Sequence, residues 1–540
     1  MVAHDNEGFN PPDRTEYTPV ATQNTASEDS INGNGFGESD VALISRQKKP
    51  PQFSNLQKYG TLLVLFAINM LNYMDRFTIV GVLAAVKSEF QIDNKRAGLL
   101  QTAFMISYMC LSPVVGYLGD RYNRKVIIIL GTLFWVFAVF FSSFINGPEN
   151  FWWFVITRCL VGIGEASYSC IAPTIITDMF EPERRNNAVS FFVIAIPVGS
   201  GVGFITGSQM VNLAKKMGWG GWEWSLRATP PLGLLCVLLL WIIMPRTVPR
   251  GSSDGVMNEK DTGYAEDLKY LLRNRSWCRI TAGFIGVSFS IGALSYWFPQ
   301  FIASAYVLRG EIKPCVTSDC EYSDIMFKFG LITTISGLGG VAIGLFSSNK
   351  LKSNPDRPKT GDAEICGMGQ FVLGFFTFIA LFSCLKSANL TWFCGFTALI
   401  GGCVNWALMV NMTMETCVPK RRATANAVQM FLGHALGDAI SPALIGIMAD
   451  GMTEARGFSA DTEPFLLGYH ALQYSMLMCP LMSLFGGAMF LWTGLSMVED
   501  RENVERYIRA GGDESALISG GSSRTSSSND SHNSSSFRRR

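Results

Sequence analysis

Charge is scarce in this sequence. Asp, Glu, Lys and Arg make up 16% of its 540 residues, the formal balance is +1, and there are four histidines. A balance so near zero offers no basic footprint, and no nucleic-acid partner is expected. Also missing are a nucleophile–base constellation, a glycine-rich phosphate loop and any Cys or His spacing suited to a metal, so neither an enzyme nor a metal cofactor is expected. No charged segment at the N-terminal end runs into an apolar one as a cleavable signal would. The first fifty or so residues are polar and are expected to stay in the cytosol while the first apolar segment directs insertion.

What the chain does have is length without charge. Hydrophobic residues make up 48% of it, gathered in stretches such as 59–73, 126–146 and 371–385. An amphipathic soluble helix shows charges every three or four residues, and these stretches do not. With about 20 apolar residues needed to cross the hydrocarbon, twelve spans are expected, near 58–86, 97–118, 126–146, 151–178, 187–212, 225–245, 277–306, 324–348, 366–386, 390–414, 424–448 and 470–497. The fold class is therefore an all-α membrane protein with twelve transmembrane helices.

Lys and Arg concentrate in alternate loops, among them Arg121, Arg124 and Lys125, then Arg184 and Arg185, then Lys420, Arg421 and Arg422. The positive-inside rule places those loops, and both termini, in the cytosol. The longest charged interruption falls between spans six and seven, dividing the chain into a polar N-terminal segment 1–57, a six-helix bundle 58–245, a linker 246–276, a second bundle 277–498 and a tail 499–540. In the linker, Tyr264 to Leu272 has an apolar stripe and is expected to lie along the cytosolic surface. The pattern P-x-R-R-x-x-A stands before span five at Pro182 and again before span eleven at Pro419, as two parallel repeats require. Most of the 13 cysteines lie in apolar segments as small hydrophobes. Cys315 and Cys320 instead share a short polar loop on the non-cytosolic side, where a disulfide is expected.

Inside the spans, charges are few and uneven. Span one holds Asp75 and Arg76; span four holds Arg158 and Glu165. A lone central charge costs about 2.5–3.5 kcal/mol on insertion scales, so these four must face the interior and pair. Arg158 and Glu165 lie seven residues apart, on one helical face, at a depth similar to that of Asp75 and Arg76. Adjacent residues cannot point the same way, so one of Asp75 and Arg76 is expected to serve packing or the outer gate. Two readings stay open: a network holding the first bundle together, or a proton and substrate site in which protonating an acid frees an arginine for an anionic headgroup. The second half offers His434 and Asp438, one turn apart and able to share a proton. Otherwise it is rich in Phe, Trp, Met and Gly, an asymmetry suited to an amphiphile with its head toward the first bundle and its tail along the second.

The segment GYLGDRYNRK, with Gly116, Asp120, Arg121, Arg124 and Lys125, resembles the loop signature of the major facilitator superfamily, in which a small residue lets helices approach and an acid and bases form a cytosolic gate. Asn123 stands where that turn usually has glycine, a residue type that tolerates the left-handed conformation. The equivalent turn after span eight has Gly344 and Lys350 but Ser348 in place of the acid, so the second latch is expected to be degraded. The strings LNYMDRFTIVGVL, GLLQTAF, RCLVGIGEASYSCIAPTIITDMF, AIPVGSGVGFITG and HALGDAISP are similar to the Spinster family of lysolipid and sphingolipid transporters. That resemblance implies the major facilitator fold of two six-helix bundles and proton-dependent lipid export without a cofactor, the proton gradient supplying the energy. It implies proton coupling at Asp75 and Glu165, a headgroup or coupling role for Arg76 and Arg158, and a histidine of the lysosomal members at His434. In the tail, Asp513, Leu517 and Ile518 fit an acidic dileucine sorting signal for adaptors, which favours late endosomes and lysosomes over the plasma membrane. A monomer is expected. The rival readings are a sphingosine-1-phosphate exporter at the plasma membrane, a proton-coupled carrier of small organic anions, and a membrane receptor or scaffold.

Overall fold

A computed structural model describes residues 53–169, 171–246, 264–314, 322–353, 360–418, 421–455 and 464–509. Cys315, Cys320, Asp513, Leu517 and Ile518 lie outside them, as do the side chains of Asp120 and Arg121. Every element among the described residues is helical. Among the described residues twelve helices are long and apolar enough to cross a membrane: Asn55–Gly81, Asn94–Gly116, Arg124–Ser142, Pro148–Met179, Asn187–Met217, Glu223–Ile243, Arg275–Leu308, Ser323–Lys352, Gly361–Ser383, Ala388–Thr416, Thr424–Ala455 and Phe465–Arg509. These are spans one to twelve. The end of the molecule where span one begins is called the near end, and the end where span two begins the far end.

Local chemistry sets the boundaries. Ser54 and Gln57 form a capping box at the start of span one, at 3.2 and 3.1 Å. Asp93 caps span two through the Arg96 amide at 2.8 Å. Span four breaks before Ala172-Pro173, where a prolyl nitrogen cannot donate. Span eleven opens into a π segment, His434–Asp438. Large apolar side chains such as Trp241, Phe346 and Leu495 stand exposed on the outer faces, as a helix surface turned toward lipid requires. Within the first bundle, Gly199, Gly203 and Gly207 place the backbone of span five against the carbonyls of Met70, Met74 and Thr78 in span one. Small residues at intervals of four allow that approach where no hydrophobic effect drives helices together.

Several details depart from the sequence reading. A methyl added at Gly116 meets nothing within 4 Å, so that glycine mediates no close approach; its neighbour Gly119 lies against the Ile171 side chain instead. Asn123 does not adopt a left-handed turn. Its φ is −67° and its Oδ1 caps span three through the Lys125 amide at 3.0 Å. Arg124 pairs with Asp178, and Lys125 donates to the carbonyls of Trp241, at 2.7 Å, and Met244, closing the last turn of span six. The turn after span eight, which has no acid of its own, meets one from the next span. Asp362 accepts from Ser348 and pairs with Lys352, which also lies 3.7 Å from Glu415. The linker helix Tyr264–Arg273 packs its apolar stripe on protein, with Leu271 buried against Trp277, Cys417 and Ala425. Asp267 holds it to Arg421 at 2.9 Å. The Leu271 side of the helix is thus covered by protein, while Leu272 stays exposed.

Candidate transport site

Span four carries the site because two glycines flank its acid. Gly162 lies against the backbone of span two at Phe104, and Gly164 against Trp135 of span three, where a methyl would come within 2.7 Å of the Trp135 Cβ. Spans two and three therefore close on both sides of Glu165, which is 1% exposed.

The four charges of spans one and four form two pairs. Arg76 reaches Glu165 at 3.1 Å, and Arg158 reaches Asp75 at 3.9 Å. Both Asp75 and Arg76 engage span four. The roughly 100° between adjacent helical positions splays them into different surroundings. Asp75 looks into the bundle, accepting from Thr229 at 3.3 Å and Trp135 at 3.5 Å. Its arginine is anchored on Ser142 at 2.9 Å. At 3.9 Å the Asp75–Arg158 contact is an ion pair without a hydrogen bond, so Asp75 rests on several weak donors rather than one strong one. Arg76 instead lies over the rings of Tyr73 and Phe104, 4.8 and 4.9 Å from their centroids, with Tyr108 at 5.7 Å. With its amide nitrogen turned to the carboxylate, Asn72 donates to both Glu165 oxygens at 2.8 Å. A narrow cavity opens on the group, lined by Asp75, Arg76, Gln101, Phe104 and Arg158 among others.

In the second bundle the His434 Nδ1 lies 3.0 and 3.1 Å from the two Asp438 oxygens. Both residues sit on the π segment of span eleven, and their side chains are about one-fifth exposed. Irregular turns of this kind occur in helices mostly at functional positions. Asp438 is within electrostatic reach of Arg76 and Tyr73 in the first bundle.

The sequence reading missed Asn72, Tyr73, Tyr108, Trp135, Ser142 and Thr229. A polar side chain in an apolar span was the available signal for Asn72, Ser142 and Thr229. Nothing in the sequence marked Trp135 or the rings around Arg76.

A helical chain with twelve such spans, two bundles and paired charges buried in the first is built as a membrane transporter. The Major Facilitator Superfamily profile matches residues 65–359. Protein spinster homolog 3 of Danio rerio is 43% identical over 455 residues, covering 84% of this chain and 88% of that one. Protein spinster homolog 1 of Homo sapiens is 41% identical over 454 residues, covering 83% and 82%. The sphingosine-1-phosphate transporter SPNS2 of Xenopus tropicalis is 39% identical over 471 residues, covering 86% and 88%. Among solved structures, a bacterial homolog of the human lysosomal transporter Spinster, inward-facing and unoccupied, superposes with a TM-score of 0.68 at 20% identity, over 83% of this chain and 99% of that one. The chain belongs to the Spinster family of the major facilitator superfamily and is a multi-pass membrane transporter.

Proposed function

We propose that this transporter is a proton-coupled exporter of single-chain phosphate-bearing lipids, lysophospholipids or sphingolipids, working by alternating access with both termini in the cytosol. The observation that carries the reading is the buried Arg76–Glu165 pair beside a cavity. A guanidinium neutralised by a carboxylate at 3.1 Å is not available to an anion. When Glu165 takes a proton, Arg76 keeps its charge, held over aromatic rings, and a phosphate replaces the carboxylate. Proton and headgroup thus compete for one pair of residues, which is the requirement for coupling. Asp75 with Arg158, and His434 with Asp438, are the further proton-responsive pairs of this scheme.

The reading draws support from a relative at 39% identity that is named a sphingosine-1-phosphate transporter. The bacterial relative is described as a homolog of a lysosomal transporter, and with the Asp513, Leu517 and Ile518 motif, read by sorting adaptors, this favours the late endosome and lysosome. The scheme needs no cofactor beyond the proton gradient and no second subunit.

The test is uptake of labelled lysophosphatidylcholine, lysophosphatidylethanolamine and sphingosine phosphate into proteoliposomes, with and without a proton gradient. Gradient-dependent flux of one lipid, lost in Glu165→Gln, is the expected result. No flux of any of the three from folded protein would sink the lipid reading and leave a small organic anion as substrate.

A further inference from the structure

Two bundles that rock about a central site need a closure at each end, and the far-end closure includes one carboxylate beside several backbone contacts. Hydrogen bonds from one bundle to the other lie at Asn94, Lys95, Thr102 and Tyr296, all between the middle and the far end. The Thr102 hydroxyl donates to the Ala439 carbonyl at 2.5 Å, and the Tyr296 hydroxyl donates to the Ala97 carbonyl. These bonds use backbone carbonyls, and the backbones are close: a methyl at Gly98 would stand 2.5 Å from the Pro442 oxygen.

Asp450, near the end of span eleven, is different. Its Oδ1 accepts from the Asn94 side chain at 2.8 Å and its Oδ2 from the Lys95 amide at 2.6 Å. The Lys95 amide is one of the first-turn donors that a helix cannot satisfy internally, and the positive end of the helix dipole favours a carboxylate there. A side chain of the second bundle thus completes the cap that Asp93 begins on the first. Asn94 passes the contact on, its Oδ1 accepting from the Lys87 ammonium at 2.6 Å. Lys87 lies on the short helix Leu83–Phe90 that follows span one. Burial pulls its ammonium below the ordinary lysine range, while Asp450 and then Asp93 act in the opposite direction.

We propose that Asp450 is the far-end latch of the transport cycle: it ties span eleven to span two and, through Asn94, to Lys87 behind span one, and these bonds must break for the site to open to the far side. The inference rests on the alternating-access reading. Its position explains why one helix suffices to connect site and gate, since span eleven carries both the His434–Asp438 pair and, twelve residues beyond Asp438, the latch. Breaking the latch takes the carboxylate from the Asn94 side chain and the Lys95 amide and removes a nearby counter-charge from the half-buried Lys87 ammonium, so the closed state loses its advantage on both sides of the contact.

The experiment reads conformation, with no substrate lipid added and no proton gradient, so its failure leaves the lipid reading untouched. Thr102→Cys places a thiol in the far-end contact, and its reaction with a membrane-impermeant maleimide is measured in proteoliposomes as the increment over the same protein with Thr102 intact. Asp450→Ala and, separately, Asn94→Ala are expected to speed labelling at least tenfold. Lys87→Met combined with Asp450→Leu, which exchanges the separated charges for apolar contact, is expected to bring it back toward the parent rate. Buried Cys479 reports folding in each variant. Labelling within twofold of the parent in either single variant that keeps Cys479 protected would overturn the latch.

Discussion

Arg76 and Glu165 meet across spans one and four at 3.1 Å, and both side chains are almost fully buried, at 8% and 1% exposure. A planar guanidinium that pairs with a carboxylate on one side and lies over Tyr73 and Phe104 on the other uses its shape as well as its charge. Arg76→Lys keeps the charge and loses the planar fork. Transport is expected to fall at least tenfold, with the loss in maximal rate and in apparent lipid affinity together, measured as initial rates in proteoliposomes. Wild-type rates in that variant would show that a point charge is enough.

The Asp75–Arg158 pair makes a prediction about stability. Arg158→Met strands the Asp75 carboxylate and is expected to cost about 3–5 kcal/mol. Adding Asp75→Asn to Arg158→Met removes the stranded charge and is expected to recover most of that loss. Thermal unfolding in detergent of the two single variants and the double compares them, and coupling that survives in the stable double would assign this pair to architecture alone.

Alkaline pH should loosen the linker helix. Tyr270 is outside the spans, where burial pushes its phenol up to about 12. A phenol whose folded value lies above its unfolded value near 10 holds its proton more tightly in the docked state. Its contribution is complete below pH 10 and is lost as pH rises toward 12. Hydrogen exchange at Leu271 should accelerate across that window, and Tyr270→Phe should remove the acceleration. Exchange with the same pH profile in both proteins would exclude Tyr270 as its source.

Two glycines should behave oppositely. Gly162→Ala drives a methyl into the Phe104 backbone, whereas Gly116→Ala meets open space. The first is expected to abolish accumulation of folded protein. The second should leave stability unchanged or raised by up to about 1 kcal/mol, since alanine is the better helix former. Size-exclusion profiles and melting temperatures report both.

The twelve spans were legible because lipid imposes a one-dimensional requirement: about 20 apolar residues without charge, which a run such as 126–146 meets with no knowledge of its neighbours. The four charges of spans one and four were legible for the same reason, since each breaks that requirement at a cost only an interior position can offset. Sequence therefore determined the number of spans and named Asp75, Arg76, Arg158 and Glu165 as candidates. Tertiary structure decided which acid meets which base, because pairing depends on the rotation of each helix, and that rotation is set by contacts such as Gly162 on span two and Gly164 on span three. It also brought Trp135 and Thr229 to Asp75 from spans three and six, supplied Asp362 to a latch whose own turn has serine, and folded an apolar linker stripe onto the second bundle. Each of these joins residues far apart in the chain, where no local pattern reports the distance between them.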